Sequence, residues 1–499
     1  MSRCGPPPHT GAPAGQQNIV ARRSCSSQRA VEMDRNPSPL PEELIDQDVL
    51  RADIIGSTVF SKQWVLASLM NLLKGVEKES SEKGDDEENP DSNGIEMDQE
   101  LEEELCKLWD MSANEEVVAF LHEWKSADML INVVAKTNSP RTTEICVGIL
   151  ANMACIDQMR KDFAENQQLR DLVLALLEGR DPPTLVEVSR LLHACITDQT
   201  TAKPWLTAIK QNSSLETLTF ILLSSTNSEL LFNVSCLFDV LLDSDQDVLV
   251  SLSNSNFIQA VVEANKQVRK EKEECHDMLL HCLQILSTEQ EGVRVLVECC
   301  SKVFPILYEY LETICEEDVV TIIGRERALS SVVSILQVLL VNSDMGDDEQ
   351  VSKLFKFLLS ILSTLKSTST SNSTKVAVGI EKSTGPEDKE SYSAQDNGTA
   401  KEENKATTTD ATDTPKSDGS YSTSNVKNHH DNVKEGDVNE QTTMLLSLLT
   451  EFFVEVNQGE KTSLLRQLKS CSPTLLKTLS SHLQDAKPDF ANLLHQDKT

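Results

Sequence analysis

The sequence predicts an all-α protein whose helices stack into a solenoid, and three observations support this prediction. The 499-residue chain is 39% hydrophobic but only 4% aromatic, so Leu, Ile and Val must form most of its core. Apolar residues recur at helical spacing over residues 100–365, with short polar breaks between the runs. Similar apolar segments also return every forty-odd residues, which is typical of stacked helical repeats.

The start of the chain is predicted to be disordered. Residues 1–54 open with a segment rich in Pro, Ser and Gly, and no acidic residue precedes Glu32. This composition favours a disordered extension, although its Arg and Ser content also resembles that of an organelle transit peptide. With this interpretation, Met33 is a candidate for an alternative start of the protein. Residues 55–76 then carry the first helical pattern.

Two further segments are polar. Residues 77–99 form a predicted acidic linker, and residues 366–440 form a linker without Leu, Phe, Trp or Met. Neither segment can bury enough apolar surface to offset the chain entropy lost on folding, so both are predicted to be disordered. Residues 441–495 are helical again, and their apolar face needs a partner. Folding back onto the helical array as a C-terminal cap is the simplest arrangement.

The repeat is visible in five leucines that occupy similar positions in successive apolar segments. These anchors are Leu150, Leu191, Leu237, Leu283 and Leu336. Their steps of 41, 46, 46 and 53 residues fit, except for the last, the roughly 40–47 residue period of armadillo and HEAT repeats. The long step indicates an insertion near residues 316–325 or a misplaced anchor. Because no single repeat could bury its apolar face alone, residues 100–365 are predicted to form an armadillo/HEAT-like right-handed α-solenoid.

Two helix starts are well marked. Ser139 precedes Pro140 and Asp181 precedes Pro182, which places a capping side chain before a first-turn proline in each case.

Several motifs together resemble one known family. They are "MDRNPSP" at Met33, "IGSTVFSKQW" at Ile55, "LWDMS" at Leu108, "PRTTEICVGILANMAC" at Pro140 and "DPPTLVEVSRLL" at Asp181. This set is similar to the serum amyloid A-like 1 protein family, most clearly over residues 33–200. The resemblance implies an armadillo-type helical fold, a usually nuclear location, a link to the promotion of cell proliferation in inflammatory settings, and no known catalytic residues.

Charge and cysteine content restrict the possible partners and compartments. The formal net charge is −33, with 79 acidic and 46 basic residues, which argues against broad binding to nucleic acid. No apolar run is long enough to span a membrane, and no signal-peptide core is present. The 13 cysteines are therefore interpreted as reduced thiols in a nuclear or cytoplasmic protein that is not secreted. No nucleic-acid or membrane partner is predicted.

No catalytic or cofactor motif stands out in the sequence. Phosphate-binding glycine loops and nucleophile elbows are missing. The segment "CHDMLLHC", residues 275–282, contains two Cys and two His that could ligate zinc. On a single helix these side chains point in different directions, so we interpret them as two core thiols and two boundary histidines. No cofactor, metal site or catalytic residue is predicted.

The candidate binding residues start from Asn152, the one polar side chain in "CVGILANMACI". In peptide-binding armadillo proteins, an Asn on the last helix of each repeat lines a concave groove and bonds the backbone of an extended guest. The corresponding positions here are His193, Asp239 and Ile285, which is not an asparagine ladder. We favour a structural amide, and the candidate groove of Asn152, His193 and Asp239 stays open. Gly148 is interpreted as a site of close helix approach.

Four tryptophans could also anchor a peptide. Their helical context favours buried core or repeat-junction positions instead. They are Trp64, Trp109, Trp124 and Trp205.

The predicted function is that of a non-enzymatic protein–protein interaction scaffold. A long concave surface would bind a segment of a partner protein, and the acidic linker would favour partners with basic extended segments. A cargo or adaptor receptor for extended basic peptides is the first alternative, and an enzyme is the second. The oligomeric state is left open.

Overall fold

The computed structural model describes residues 52–81, 96–268, 273–315, 320–343, 348–380, 435–458, 468, 471–484 and 491. Over these residues the fold is all-α and contains no β-strand, apart from an isolated bridge between Ile54 and Ser61. Most of the N-terminal extension and of the two predicted linkers lies outside the described residues. None of the described helices is both long enough and apolar enough to cross a lipid bilayer.

Most neighbouring helices of the described residues are separated by only a few residues. In the first half of the chain they are α1 (Lys62–Ser81), α2 (Gln99–Met111), α3 (Glu115–Glu123), α4 (Ser126–Val134), α5 (Pro140–Met153), α6 (Asp157–Glu165), α7 (Gln167–Leu176), α8 (Pro182–Thr197), α9 (Gln199–Gln211) and α10 (Ser214–Ser224). In the second half they are α11 (Ser228–Ser244), α12 (Gln246–Leu252), α13 (Ser255–Val268), α14 (Glu273–Leu286), α15 (Gln290–Glu298), α16 (Cys300–Ile314), α17 (Glu326–Asn342), α18 (Asp348–Ile380), α19 (Glu435–Gln458) and α20 (Pro473–Leu483).

The chain divides into two compact units, residues 1–67 and 68–499. In the first unit, the backbone N–H of Ile55 donates to the Phe60 carbonyl across 2.9 Å. The turn between them includes Gly56, whose positive φ of 53° suits glycine. Among the described residues of this unit, 52–67, the buried apolar side chains are those of Ile55 and Val65.

Both predicted helix starts of the second unit are confirmed. The Ser139 hydroxyl accepts the backbone N–H of Thr142 at the start of α5, and the Asp181 carboxylate accepts that of Thr184 at the start of α8. In each helix a proline occupies the first turn, where its missing N–H breaks no bond. The sequence therefore fixes where these two helices begin.

One helix of each repeat packs against its counterpart in the next repeat. The resulting row contains α2, α5, α8, α11, α14 and α17, and α19 packs against α17 as a further member. We call these the ladder helices. The five anchor leucines lie on α5, α8, α11, α14 and α17, and each is at most 1% exposed. Successive ladder helices thus close one continuous interior, which confirms the predicted α-solenoid.

Three helices extend beyond the segments drawn on the sequence. The helix α1 continues to Ser81, past residue 76, α18 continues to Ile380, past residue 365, and α19 begins at Glu435, before residue 441. Once a helix is nucleated, each further residue costs little to add, so polar residues can prolong it. The long fourth repeat step corresponds to the connection between α16 and α17, part of which lies outside the described residues. The domain boundaries themselves stay predictions.

Candidate functional site

The solvent-facing sides of the ladder helices carry polar residues that bond from one helix to the next. We call this surface the ladder face. At its N-terminal end, Arg141 on α5 joins two carboxylates. Its Nε lies 2.8 Å from Glu102 on α2, and its Nη1 lies 2.8 Å from Glu144 on α5. Burial raises the pKa of Glu144, although Arg141 opposes this shift. The first contact of the ladder face is therefore an ion-pair network rather than an open groove.

Asn152 connects three ladder helices through its amide. The nitrogen Nδ2 donates to the Trp109 carbonyl at 3.2 Å and to the Ser112 hydroxyl at 3.0 Å, both at the end of α2. The oxygen Oδ1 accepts from Arg190 on α8 at 2.8 Å. Both N–H groups are thus used inside the chain. This geometry favours the structural interpretation of Asn152 over a role in gripping a guest backbone.

Gly148 lies directly under the indole of Trp109. A Cβ added at Gly148 would overlap the six-membered ring of that indole. The close approach predicted for Gly148 is therefore a contact between a ring on α2 and the bare backbone of α5. Trp109 is half-buried at this repeat junction.

The other tryptophans differ in their environments. Trp205 on α9 is fully buried, as the core interpretation expects, and Trp64 is half-buried. Trp124 is 53% exposed, so the buried position predicted for it is wrong. It follows the last residue of α3, and Lys125 then turns the chain with a φ of 53°. The Trp124 ring centroid lies 6.1 Å from that of Phe120.

Glu187 on α8 is a buried carboxylate. It is 6% exposed and forms an ion pair with Arg190. Burial raises the pKa of Glu187 to about 7, against the effect of Arg190, and the neighbouring charges of Glu144 and Glu229 add to the rise. Three successive ladder helices thus carry coupled glutamates.

The two remaining groove candidates, His193 and Asp239, lie further along the same face. Burial lowers the pKa of His193 on α8, and the charge of Asp239 on α11 opposes that shift. Asp239 accepts a hydrogen bond from Nδ1 of His281 on α14, and its Oδ2 lies 3.7 Å from Arg327 on α17. The structure therefore brings Asp239 together with His281 and Arg327, which the sequence did not assign to the groove.

The proposed core thiols of "CHDMLLHC" are both fully buried. Cys275 and Cys282 are 0% exposed, and burial raises the pKa of Cys282 well above its ordinary value. His281 is half-buried and bonds to Asp239 on α11, as a boundary position predicts. His276 is buried, so the boundary position predicted for it is wrong.

A cleft of about 260 Å³ lies at the C-terminal end of the ladder face. It is lined by Ser287 next to α14, by Ser334, Gln337, Val338, Val341 and Asn342 on α17, and by Glu455 on α19. The Gln337 side-chain amide donates to the Glu455 carboxylate and joins the last two ladder helices. No signal in the sequence indicated this cleft, because Glu455 lies more than a hundred residues from the other lining residues.

The packed row of ladder helices places the chain among the armadillo-like helical repeat proteins. Comparisons with known proteins then identify its family. Residues 214–497 match the SAAL1 C-terminal domain. The chain is 39% identical over 336 residues to Protein saal1 of Danio rerio, covering 63% of this chain and 70% of the relative. It is 33% identical over 351 residues to Protein SAAL1 of Homo sapiens, covering 64% and 73%. The chain belongs to the SAAL1 family.

Solved structures show weaker likenesses. A designed armadillo repeat protein in complex with the peptide (KR)4 superposes with a TM-score of 0.38 at 15% identity, over 54% of this chain and 99% of that chain. An engineered protein superposes with a TM-score of 0.40 at 15% identity, over 79% and 86%. Both scores are low for a shared fold, so the fold assignment rests on the helix packing of the chain itself.

Proposed function

We propose that the chain is a non-enzymatic scaffold that binds an extended segment of a partner protein along the ladder face. The observation that carries this proposal is the row of seven consecutively packed ladder helices, α2 to α19. Their polar side chains are held by bonds between neighbouring helices, so little ordering would be needed when a partner binds. Stacked repeats usually bind their partners on the concave surface that the stacking creates.

The charge of the ladder face favours a basic partner. Glu229, Asp243 and Glu274 are exposed on α11 and α14, and none has an ion-pair partner within the described part of the chain. Together with a chain charge of −33, they would attract Lys- and Arg-rich segments and speed their association at low salt.

We attribute the raised pKa values of Glu144 and Glu187 to structural ion pairs of the ladder face rather than to catalysis. Glu144 and Glu187 both bond to arginines in networks that join helices. Neither lines the cleft near Glu455. Structural ion-pair networks perturb pKa values as active sites do, and no reaction is proposed. An adaptor that grips basic peptides through an asparagine ladder is disfavoured, because the amide of Asn152 is already bonded within the chain.

The family resemblance adds a location and a process to the proposal. We assign the chain to the nucleus, with a cytoplasmic pool as the alternative, and to the promotion of cell proliferation. A fluorescent fusion of the full chain tests the location. Depletion followed by rescue tests the process: the wild-type chain should restore the growth rate, and a Glu229→Gln/Asp243→Asn/Glu274→Gln variant should restore it less. Equal rescue by both would show that the promotion of cell proliferation does not depend on these three carboxylates of the ladder face.

Site-specific crosslinking tests the binding surface. A photo-crosslinking amino acid would replace Val240, on the ladder face of α11, or Val250, which is 49% exposed on α12. We expect discrete protein crosslinks from position 240 that weaken in the three-residue charge variant and at high salt. Identical crosslinks from both positions, or insensitivity to the charge variant, would refute the proposed surface. Turnover of a small molecule by the purified chain would refute the non-enzymatic assignment.

A further inference from the structure

The cleft at the end of the ladder face presents several hydrogen-bond acceptors. The hydroxyl of Ser287 donates to the Gln284 carbonyl at 2.6 Å, and that of Ser334 donates to the Ser330 carbonyl at 2.9 Å. Each hydroxyl hydrogen is thus directed into its own helix, and only the oxygen lone pairs remain for a ligand. One N–H of the Asn342 amide donates to the Val338 carbonyl of its own helix across 2.8 Å, and its second N–H remains a donor.

The strongest acceptor in the cleft is Glu455, whose carboxylate forms no ion pair within the described part of the chain. Its partner is the neutral amide of Gln337, and no salt bridge joins Glu455 to a basic side chain among the described residues. This differs from the N-terminal end of the ladder face, where Arg141 lies between Glu102 and Glu144. Because the Gln337 nitrogen faces Glu455, the oxygen of that amide remains a further acceptor.

The cleft also has an apolar side. Val338 is half-buried and Val341 is 41% exposed, so both offer methyl groups to a ligand. The volume of about 260 Å³ lies below the roughly 300–1,000 Å³ of typical small-molecule sites. It suits a single long side chain, whose methylene stem would cover the valines while its charged end reaches the acceptors.

We propose that this cleft binds one lysine or arginine side chain of the partner's extended segment. The assignment rests on the proposed function, because it places one anchor of that segment between α17 and α19. The ammonium or guanidinium group would donate to Glu455, to the Gln337 oxygen and to the serine hydroxyl oxygens. Charge-assisted hydrogen bonds of this kind are stronger than neutral ones, so the anchor would hold the segment in register on the ladder helices.

Peptide binding to the full chain tests the cleft directly. The probe is a fluorescein-labelled peptide of alternating Lys and Ala, compared with the same peptide carrying acetylated lysines, which have lost their charge. Fluorescence anisotropy gives the Kd of each at low salt. We expect the charged peptide to bind more tightly. Glu455→Gln should weaken its binding about three- to tenfold, because it removes the charge but keeps an acceptor and the size of the side chain.

Two further variants separate the cleft from general electrostatics. Glu451→Gln removes the same charge from an exposed site one turn earlier on α19, outside the cleft lining. It should change the Kd less than about twofold. Val341→Ser alters the apolar side at an exposed position, where folding is little affected, and should also weaken binding. Circular dichroism confirms that each variant is folded.

The outcomes distinguish the cleft from the proposed function. Equal effects of Glu455→Gln and Glu451→Gln would overturn the cleft assignment. So would a wild-type chain that binds both peptides alike, or neither, while position 240 still forms charge-dependent crosslinks. If position 240 forms no charge-dependent crosslinks, the scaffold proposal is refuted instead, whatever the affinity of the peptides.

Discussion

Asn152 gives the ladder a connection that no apolar residue could supply. We predict that Asn152→Leu lowers the free energy of unfolding by about 1–3 kcal/mol, because it leaves the Trp109 carbonyl, the Ser112 hydroxyl and Arg190 without this partner. Urea unfolding followed by circular dichroism measures the change. Asn233→Leu is the matched control, since the Asn233 amide bonds only to the Glu229 carbonyl of its own helix. If both variants lose the same stability, the bridging role is refuted.

Gly148 and Trp109 form a second residue-scale pair. We predict that Gly148→Ala destabilises the wild-type chain, because the added methyl group overlaps the indole. Overpacking of this kind costs about 1–3 kcal/mol, which exceeds the roughly 1 kcal/mol gained in helix propensity. In a Trp109→Ala background the overlap is gone, so Gly148→Ala should be neutral or stabilising. Urea midpoints of the four proteins give the coupling. If the effects of the two substitutions are additive, the indole moves aside to make room for the methyl group, and the predicted overlap is refuted.

The sequence singles out Asn152 and Gly148 but not their partners. An amide and a glycine inside an apolar helix conflict with local propensity, so each signals a special contact. The partners Trp109, Ser112 and Arg190 lie on other repeats, 43, 40 and 38 residues away. A repeat register near forty residues predicts which helices are neighbours. It does not predict which turn of one helix meets which turn of the next, because that depends on packing.

At the scale of elements, α5, α8 and α11 are coupled through buried charge, and this makes their packing depend on pH. The folded chain raises the pKa of Glu187 from 4.5 to about 7, so between these values the folded state binds the proton more tightly than the unfolded state does. The contribution of Glu187 to stability is therefore present below about pH 4.5 and is lost as the pH rises towards 7.

The corresponding prediction concerns the slope of stability against pH. Glu187→Gln cannot titrate, so relative to this variant the wild-type chain should lose stability as the pH rises from about 5 to about 8. Urea unfolding across that range gives the difference. Glu291→Gln on α15 is the control, because a hydrogen bond from Arg294 lowers the pKa of Glu291. Its stabilisation is present at neutral pH and is lost in acid. A Glu187→Gln curve parallel to the wild-type curve would contradict the buried ionisation.

Helix starts and helix ends differ in how far they could be predicted. The starts of α5 and α8 follow from Ser139 and Asp181, because a capping side chain and a first-turn proline are local signals. The end of α18 at Ile380 has no such signal in its Ser/Thr-rich sequence. The cleft at Glu455 joins α17 to α19 across 118 positions of sequence. Only the packing of whole elements brings those residues together.

For the whole molecule, stacked packing implies that stability is local, since each ladder helix contacts mainly its neighbours in the row. Phe452 of α19 is fully buried, with its ring 5.3 Å from Phe453 and 6.4 Å from Phe355 of α18. Phe452→Ala should cost about 3–5 kcal/mol in the C-terminal helices. Amide hydrogen exchange should then lose protection in α17, α18 and α19, but not in α5 and α8.

A second variant, in the N-terminal half of the array, tests the same idea. Leu191 of α8 is 0% exposed, so Leu191→Ala should lower the free energy of unfolding by about 2–5 kcal/mol. Amide protection should then be lost in α5, α8 and α11, whereas α17 and α19 should keep theirs. The two exchange maps should therefore be complementary, because destabilisation passes to neighbouring helices and fades beyond them. A uniform loss of protection along the chain from either variant would mean that the helices unfold as one cooperative unit. The nearest-neighbour account of this solenoid would then fail, even though its helices are stacked in a row.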